Sequence, residues 1–126
     1  MKFIWSTLKV GNMNESIVFY ENILGLKTVQ RFQAGPDMEI AFLGEGETQI
    51  ELIQEKNREK VEIGHDISWG FQVDSLKVMM DVLEENGISV HSGPFMPNPF
   101  TRFIYILDPD GMKIQLVEKN NPKENV

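Results

Sequence analysis

A pattern of strand, helix and strands fills the first half of this chain, closes on Ile50-Glu51-Leu52, and returns in the second half to close on Ile114-Gln115-Leu116. Repetition on this scale constrains the fold more than composition does, because two units built alike must bury like faces in like ways. Gly25 returns as Gly87 at a shift of 62 residues, and Glu51 as Gln115 at a shift of 64. Small differences in loop length absorb the drift. Whatever occupies matched positions in the two units then decides their chemistry.

Phe3 to Val10 alternates around Ile4, Leu8 and Val10 as a strand does, and Asn12 followed by Glu15 offers a helix cap. The apolar positions Ile17, Phe19, Tyr20, Ile23 and Leu24 recur at helical spacing, and Gly25 stands where a left-handed residue would end the helix. Strands are predicted over 26–32, 38–43 and 48–54, separated by Ala34-Gly35-Pro36-Asp37 and Gly44-Glu45-Gly46. Residues 55–66 are dense in charge and read as a connector. The pattern restarts with a strand over 67–73, a Ser75 cap, a helical stripe of Leu76, Met79, Met80 and Leu83, and Gly87. Three more strands are predicted over 88–91, 103–107 and 112–118, the last two joined by the turn Asp108-Pro109-Asp110-Gly111. The polar tail from Asn120 to Val126 is expected to fray.

The expected fold class is therefore α+β: paired βαβββ modules, about 3–54 and 67–118 with the connector between them, in one domain covering 1–126. Each helix covers one face of its own sheet, so the other faces are expected to curl toward each other, or toward a second chain, around a cleft. With 126 residues and 41% apolar content the chain can bury a core without staples, and it has no Cys. That excludes a disulfide framework, a zinc-thiolate site and a cysteine nucleophile, and it fits a reducing cytoplasm. No window is apolar enough to span a bilayer and no signal peptide is visible, so a cytoplasmic protein without a membrane partner is expected. A net charge of −7 with no basic stripe argues against nucleic acid. No phosphate-cradling glycine loop, nucleophile elbow or zinc-protease helix is present.

Leu8-Lys9-Val10 with Ser16, Phe19-Tyr20, Leu24-Gly25-Leu26, the Ile50-Glu51-Leu52 strand, Val73-Asp74 and the run from Asp108-Pro109-Asp110-Gly111 to Leu116 resemble the vicinal oxygen chelate superfamily. That superfamily includes glyoxalase I, bleomycin-resistance proteins, fosfomycin-resistance proteins and extradiol dioxygenases. The resemblance covers about residues 3 to 118 and implies a homodimer with its site in the concave sheet. In metal-dependent members, four inward-facing strand positions hold a divalent ion: typically His, Glu, His and Glu. Here those positions fall on Trp5, Glu51, Ser68 and Gln115.

A catalytic divalent site needs about three strong protein ligands and an open position. Trp5 offers only an indole N–H donor, and Ser68 and Gln115 are weak neutral oxygens, so Glu51 alone remains strong. The resemblance also makes the eighth-strand carboxylate the group that shuttles the substrate proton, and an amide at Gln115 does not act as a base near neutral pH. Neither a metal, a cofactor nor ordinary glyoxalase I activity is expected.

A metal-free binding protein is the preferred reading. Trp5 can stack on a ring or cation, Glu51 can pair with a positive group, and Ser68 and Gln115 can hydrogen-bond a small organic, cationic aromatic ligand. Alternatively Trp5 only fills space and Glu51 pairs with a neighbour such as Lys113. The proline-rich stretch from Phe95 to Arg102 reads as a lid or a dimer interface, with Arg102 offered to an anionic group. Two other functions remain open: a metal-dependent, lactoylglutathione lyase-like enzyme with a displaced Glu51, His65 and His91 site, and a structural or regulatory dimer without ligand.

Overall fold

Each half of the chain lays a helix against one face of a four-stranded sheet, and matched residues do this in both halves. The computed structural model describes residues 1–120; the polar tail expected to fray lies outside the described residues apart from Asn120. The chain divides between Ile63 and Gly64 into two compact units.

The first unit runs β1 (Trp5–Lys9), α1 (Met13–Val18), β2 (Thr28–Gln33), β3 (Met38–Leu43) and β4 (Gln49–Glu55), with sheet order β1-β4-β3-β2. β1 is parallel to β4 and the other neighbours are antiparallel. The predicted single helix is instead two pieces, because α1 passes into a π-helical segment over Phe19–Ile23. That wider turn buries both Phe19 and Tyr20, whose rings meet edge to face at 5.1 Å.

The second unit runs β5 (Ser68–Val73), α2 (Leu76–Glu85), β6 (Ser92–Asn98), β7 (Thr101–Leu107) and β8 (Lys113–Lys119), with order β5-β8-β7-β6. Here β5 is parallel to β8, as β1 is to β4. The sixth strand is not over 88–91 as predicted; it is the proline-rich stretch itself. β6 lies at the sheet edge and pairs with β7 only through Ser92, Phe95 and Asn98, so Pro94 and Pro97 interrupt no ladder bond. The stretch read as a lid is thus mostly edge strand, with Pro99 and Phe100 turning into β7.

The helix starts show how closely the repeat is kept. Asn12 accepts the Glu15 N–H at 3.0 Å and Ser75 accepts the Val78 N–H at 3.2 Å, each in extended conformation. A side chain from the last strand then reaches the first helical N–H: Gln54 takes Met13 at 2.6 Å, and its counterpart Glu118 takes Leu76 at 3.3 Å. Gly25 and Gly87 end the helices at φ 71° and 69°, where a side chain would strain the backbone.

Alternation along each strand divides the sheets into a covered face and an open face. Leu8, Ile50, Leu52, Ala41 and Leu43 are buried with Met13 and Ile17 in the first unit; Ile104, Ile106, Ile114 and Leu116 are buried with Leu76 and Leu83 in the second. Each fully buried aliphatic side chain contributes about 1.5 to 3 kcal/mol relative to exposure. Met112 is buried beneath the Asp108 turn, whose carboxylate accepts the N–H groups of Asp110 and Met112, both at 2.8 Å. No described helix is long and apolar enough to cross a membrane.

Candidate functional site

The open faces carry the sequence-predicted positions, and register decides what stands beside each of them. In the first unit Thr7 lies opposite Glu51 across the parallel pair, and Phe42 lies opposite Glu51 across the antiparallel pair. The Thr7 hydroxyl donates to Glu51 Oε1 at 2.5 Å. Trp5, 44% exposed, meets Phe42 edge to face at 5.1 Å, and Phe32 stacks on Phe42 with centroids 6.4 Å apart. Phe42 is buried on an otherwise open face because Trp5 and Phe32 flank it. This unit therefore presents a half-buried carboxylate beside an aromatic wall.

In the second unit Gly70 and Tyr105 occupy the places of Thr7 and Phe42, on either side of Gln115. Phe95, Phe103 and Tyr105 form a second aromatic cluster, with centroid separations between 5.4 and 6.4 Å. Ser68, in the place of Trp5, is exposed and lies opposite Lys113. Lys113, named above as an example of a partner for Glu51 in the alternative reading, makes no ion pair among the described residues. Lys113 Nζ instead sits 4.5 Å from the centre of the Tyr105 ring, a cation–π contact that keeps its charge at the open face.

Arg102 does not belong with these residues. Its register partner is Glu118, which shares the covered face with Leu116, so Arg102 points away from Gln115. It lines an open recess of about 710 Å³ on the helix side, with Lys77, Asp81 and Glu84 of α2. The alternation of β7 decides this: Phe103 and Tyr105 take one face, Arg102 and Ile104 the other.

Of the four sequence-predicted positions, Trp5 and Glu51 lie in the first unit and Ser68 and Gln115 in the second. Only Glu51 offers an anionic oxygen, and that carboxylate already accepts Thr7. Trp5 packs on Phe42, and Gln115 stands beside the bare backbone of Gly70. Among the described residues no three His, Asp or Glu side chains form a group able to hold a metal ion. His65 and His91 are exposed, and the His91 backbone N–H is given to the Tyr105 carbonyl at 2.7 Å.

Phe42, Phe95, Phe103 and Tyr105 were not among the predicted site residues. The repeat holds a signal for three of them, since Phe32 with Phe95, and Phe42 with Tyr105, each recur at a shift of 63, whereas Phe103 falls on Ile40. They share the parity of Glu51 and Gln115 only once the strands are paired.

Comparison with known proteins agrees with this architecture. Residues 2–116 match the family model described as the Glyoxalase/Bleomycin resistance protein/Dioxygenase superfamily. A lactoylglutathione lyase of Salmonella typhimurium is 32% identical over 129 residues, covering 94% of this chain and 93% of that protein. Among solved structures, the trypanothione-dependent glyoxalase I of Leishmania major superposes with a TM-score of 0.84 at 21% identity, covering 99% of this chain and 91% of the other. TnmS3, an antibiotic binding protein from Streptomyces sp. CB03234, superposes with a TM-score of 0.75 at 20% identity over 94% and 96% of the two chains.

Proposed function

The chain belongs to the Glyoxalase/Bleomycin resistance protein/Dioxygenase superfamily, and from that premise we propose that it is a metal-free member whose open sheet faces bind a small organic ligand. One observation carries this reading: at the four positions to which the resemblance to the superfamily assigns a metal, this chain has Trp5, Glu51, Ser68 and Gln115, of which one is a strong ligand. The aromatic side chains beside them suit flat groups, with Trp5, Phe42 and Phe32 on the open face of the first unit and, separately, Phe95, Phe103 and Tyr105 on the open face of the second.

In the first unit a cationic aromatic group stacks on Trp5 and pairs with Glu51, whose position Thr7 fixes. In the second, Ser68 and Gln115 supply neutral donors and acceptors. Lactoylglutathione lyase activity is not proposed despite relatives of that name, because Gln115 offers an amide where that chemistry needs a base. The antibiotic binding protein of the same fold gives a precedent for binding on this scaffold. We also place the protein in the cytoplasm as a homodimer; light scattering on the purified chain tests the dimer, and cell fractionation tests its location.

The main experiment is a thermal-shift screen with cationic aromatic compounds, with metal analysis of tag-free protein purified without added metal. Stabilisation is expected for the wild type and is lost in Trp5→Ala. A stoichiometric transition metal, or stabilisation that survives Trp5→Ala, overturns this reading.

A further inference from the structure

The second unit carries a glycine that its backbone does not require. Gly70 sits in the interior of β5, outside the left-handed region that Gly25, Gly87 and Gly111 occupy. A strand-interior glycine loses side-chain packing and often marks a place where another group approaches closely. What lies beside it is informative: among the described residues other than its chain neighbours, a Cβ built there would come within 4 Å of Gln115 Oε1 alone, at 3.4 Å. The first unit fills the same position with Thr7, whose hydroxyl occupies the Glu51 carboxylate. Gly70 thus leaves the amide of Gln115 uncovered.

Charge gives a second, independent indication. Register places Lys113, Gln115, Val117 and Lys119 of β8 on the open face of the second unit, with Ser68, Gly70 and Gln72 of β5 and Thr101, Phe103, Tyr105 and Leu107 of β7. No carboxylate stands on these strands' open face, in a chain whose net charge is −7. The charged groups of β8 on this face, Lys113 and Lys119, are donors, Gln115 turns its Oε1 toward Gly70 and carries its N–H donors on the other side of the same amide, and Lys113 is already held over the Tyr105 ring.

We propose that the notch over Gly70 takes the oxyanion of a planar organic acid, a carboxylate held by Lys113 Nζ and, once a half-turn about the last side-chain bond of Gln115 exchanges its Oε1 for Nε2 at the notch, by the Gln115 amide N–H, with its ring against the Tyr105 and Phe103 cluster. This rests on the reading that the open sheet faces bear ligands, and it assigns the second unit the opposite ligand charge from the first. Gly70 is then a specificity-determining residue, admitting the carboxylate that Thr at the same place would exclude.

The test is an NMR titration of uniformly 15N-labelled full-length protein with benzoate, its neutral analogue benzamide, and benzylammonium. Benzoate is expected to move the Gly70 backbone and Gln115 side-chain amide signals saturably, with benzamide weaker by about tenfold. Lys113→Met and Gly70→Thr each weaken benzoate by about tenfold, whereas Lys77→Met, which removes the same charge from α2, changes it less than about twofold. Lys113→Met leaves the strand backbone untouched, so it decides the matter even if Gly70→Thr alters folding.

Equal losses from Lys77→Met and Lys113→Met would reduce the effect to net charge and overturn the proposal. Concentration-dependent shifts at Gly70 without ligand, which a second protein copy covering this face would produce, overturn it as well. If benzylammonium moves the Trp5 and Glu51 signals while benzoate moves nothing, the notch fails and the ligand-bearing reading stands. If no probe moves either face, both fail.

Discussion

Replacing Asp108 by Ala tests whether the β7–β8 turn is what holds Tyr105 opposite Gln115. Asp108 is 5% exposed, and its Oδ1 accepts the N–H groups of Asp110 and Met112, each at 2.8 Å. The turn is closed further by Asp108 N–H to the Met112 carbonyl at 2.9 Å and Gly111 N–H to the Asp108 carbonyl at 3.0 Å. Alanine keeps those two backbone bonds and removes both side-chain bonds. The Met112 N–H is then buried without its acceptor, which costs about 2 kcal/mol, and the part-buried Asp110 N–H loses about 1 kcal/mol more. Destabilisation of about 3 kcal/mol follows. With a urea slope of about 1.5 kcal/mol per molar, the midpoint falls by about 2 M. Asn keeps a carbonyl oxygen in the same place and loses only the charge assistance, so Asp108→Asn costs about 1 kcal/mol. The assay is urea unfolding followed by fluorescence of Trp69, the tryptophan of the second unit, in a Trp5→Phe background. A midpoint for Asp108→Ala within 0.3 M of the parent, or equal losses for Asn and Ala, would refute the assignment of the turn's stability to these two bonds; the 0.3 M threshold is about 0.5 kcal/mol on the same slope.

Further outcomes are expected elsewhere. Gly70→Thr removes a strand-interior glycine from an ordinary extended backbone and should raise stability by about 0.5 to 1 kcal/mol, seen as a melting temperature higher by about 3 °C. Gln54→Ala leaves the Met13 N–H without the acceptor that reaches it at 2.6 Å and should cost about 1 to 2 kcal/mol by chemical denaturation. The Lys9 ammonium, by hydrogen bonding and then by charge, holds the Glu55 carboxyl below its ordinary value of 4.5. A depressed carboxylate adds stability that is present above its ordinary pKa and lost as pH falls through the lowered one. Lys9→Met should therefore bring the Glu55 midpoint back toward its ordinary value in an NMR titration, with little change in stability at neutral pH because the pair is solvent-accessible.

Much of the fold is written locally. Asn12 and Ser75 are caps by side-chain chemistry, Gly25 and Gly87 end helices by their freedom at positive φ, and the Asp108 turn closes by bonds within five residues. Alternation along β4 and β8 sorts Ile50, Leu52, Ile114 and Leu116 to the covered side without knowledge of a neighbour. Where local signals compete they mislead. Ile88 to His91 has the apolar character of a strand, yet ladder partners go to the proline-rich Ser92–Asn98, which an edge position tolerates. The break of the first helix into a π segment likewise depends on where Phe19 and Tyr20 find burial.

By itself, the sequence determined that two βαβββ units recur and that Glu51 in the first unit answers to Gln115 in the second; the resemblance to the superfamily implied that these two, with Trp5 and Ser68, stand at its metal positions. The repeat and the carboxylate-to-amide difference are properties of residue type and spacing. Only the tertiary structure decided what faces them: Thr7 on Glu51, Phe42 beside Trp5, Tyr105 under Lys113, Gly70 open above Gln115, and Arg102 on the far side of its sheet. The reason is that strand register, set by pairing between segments distant in sequence, fixes both neighbour and face, and a slip of one residue would reverse every one of these assignments.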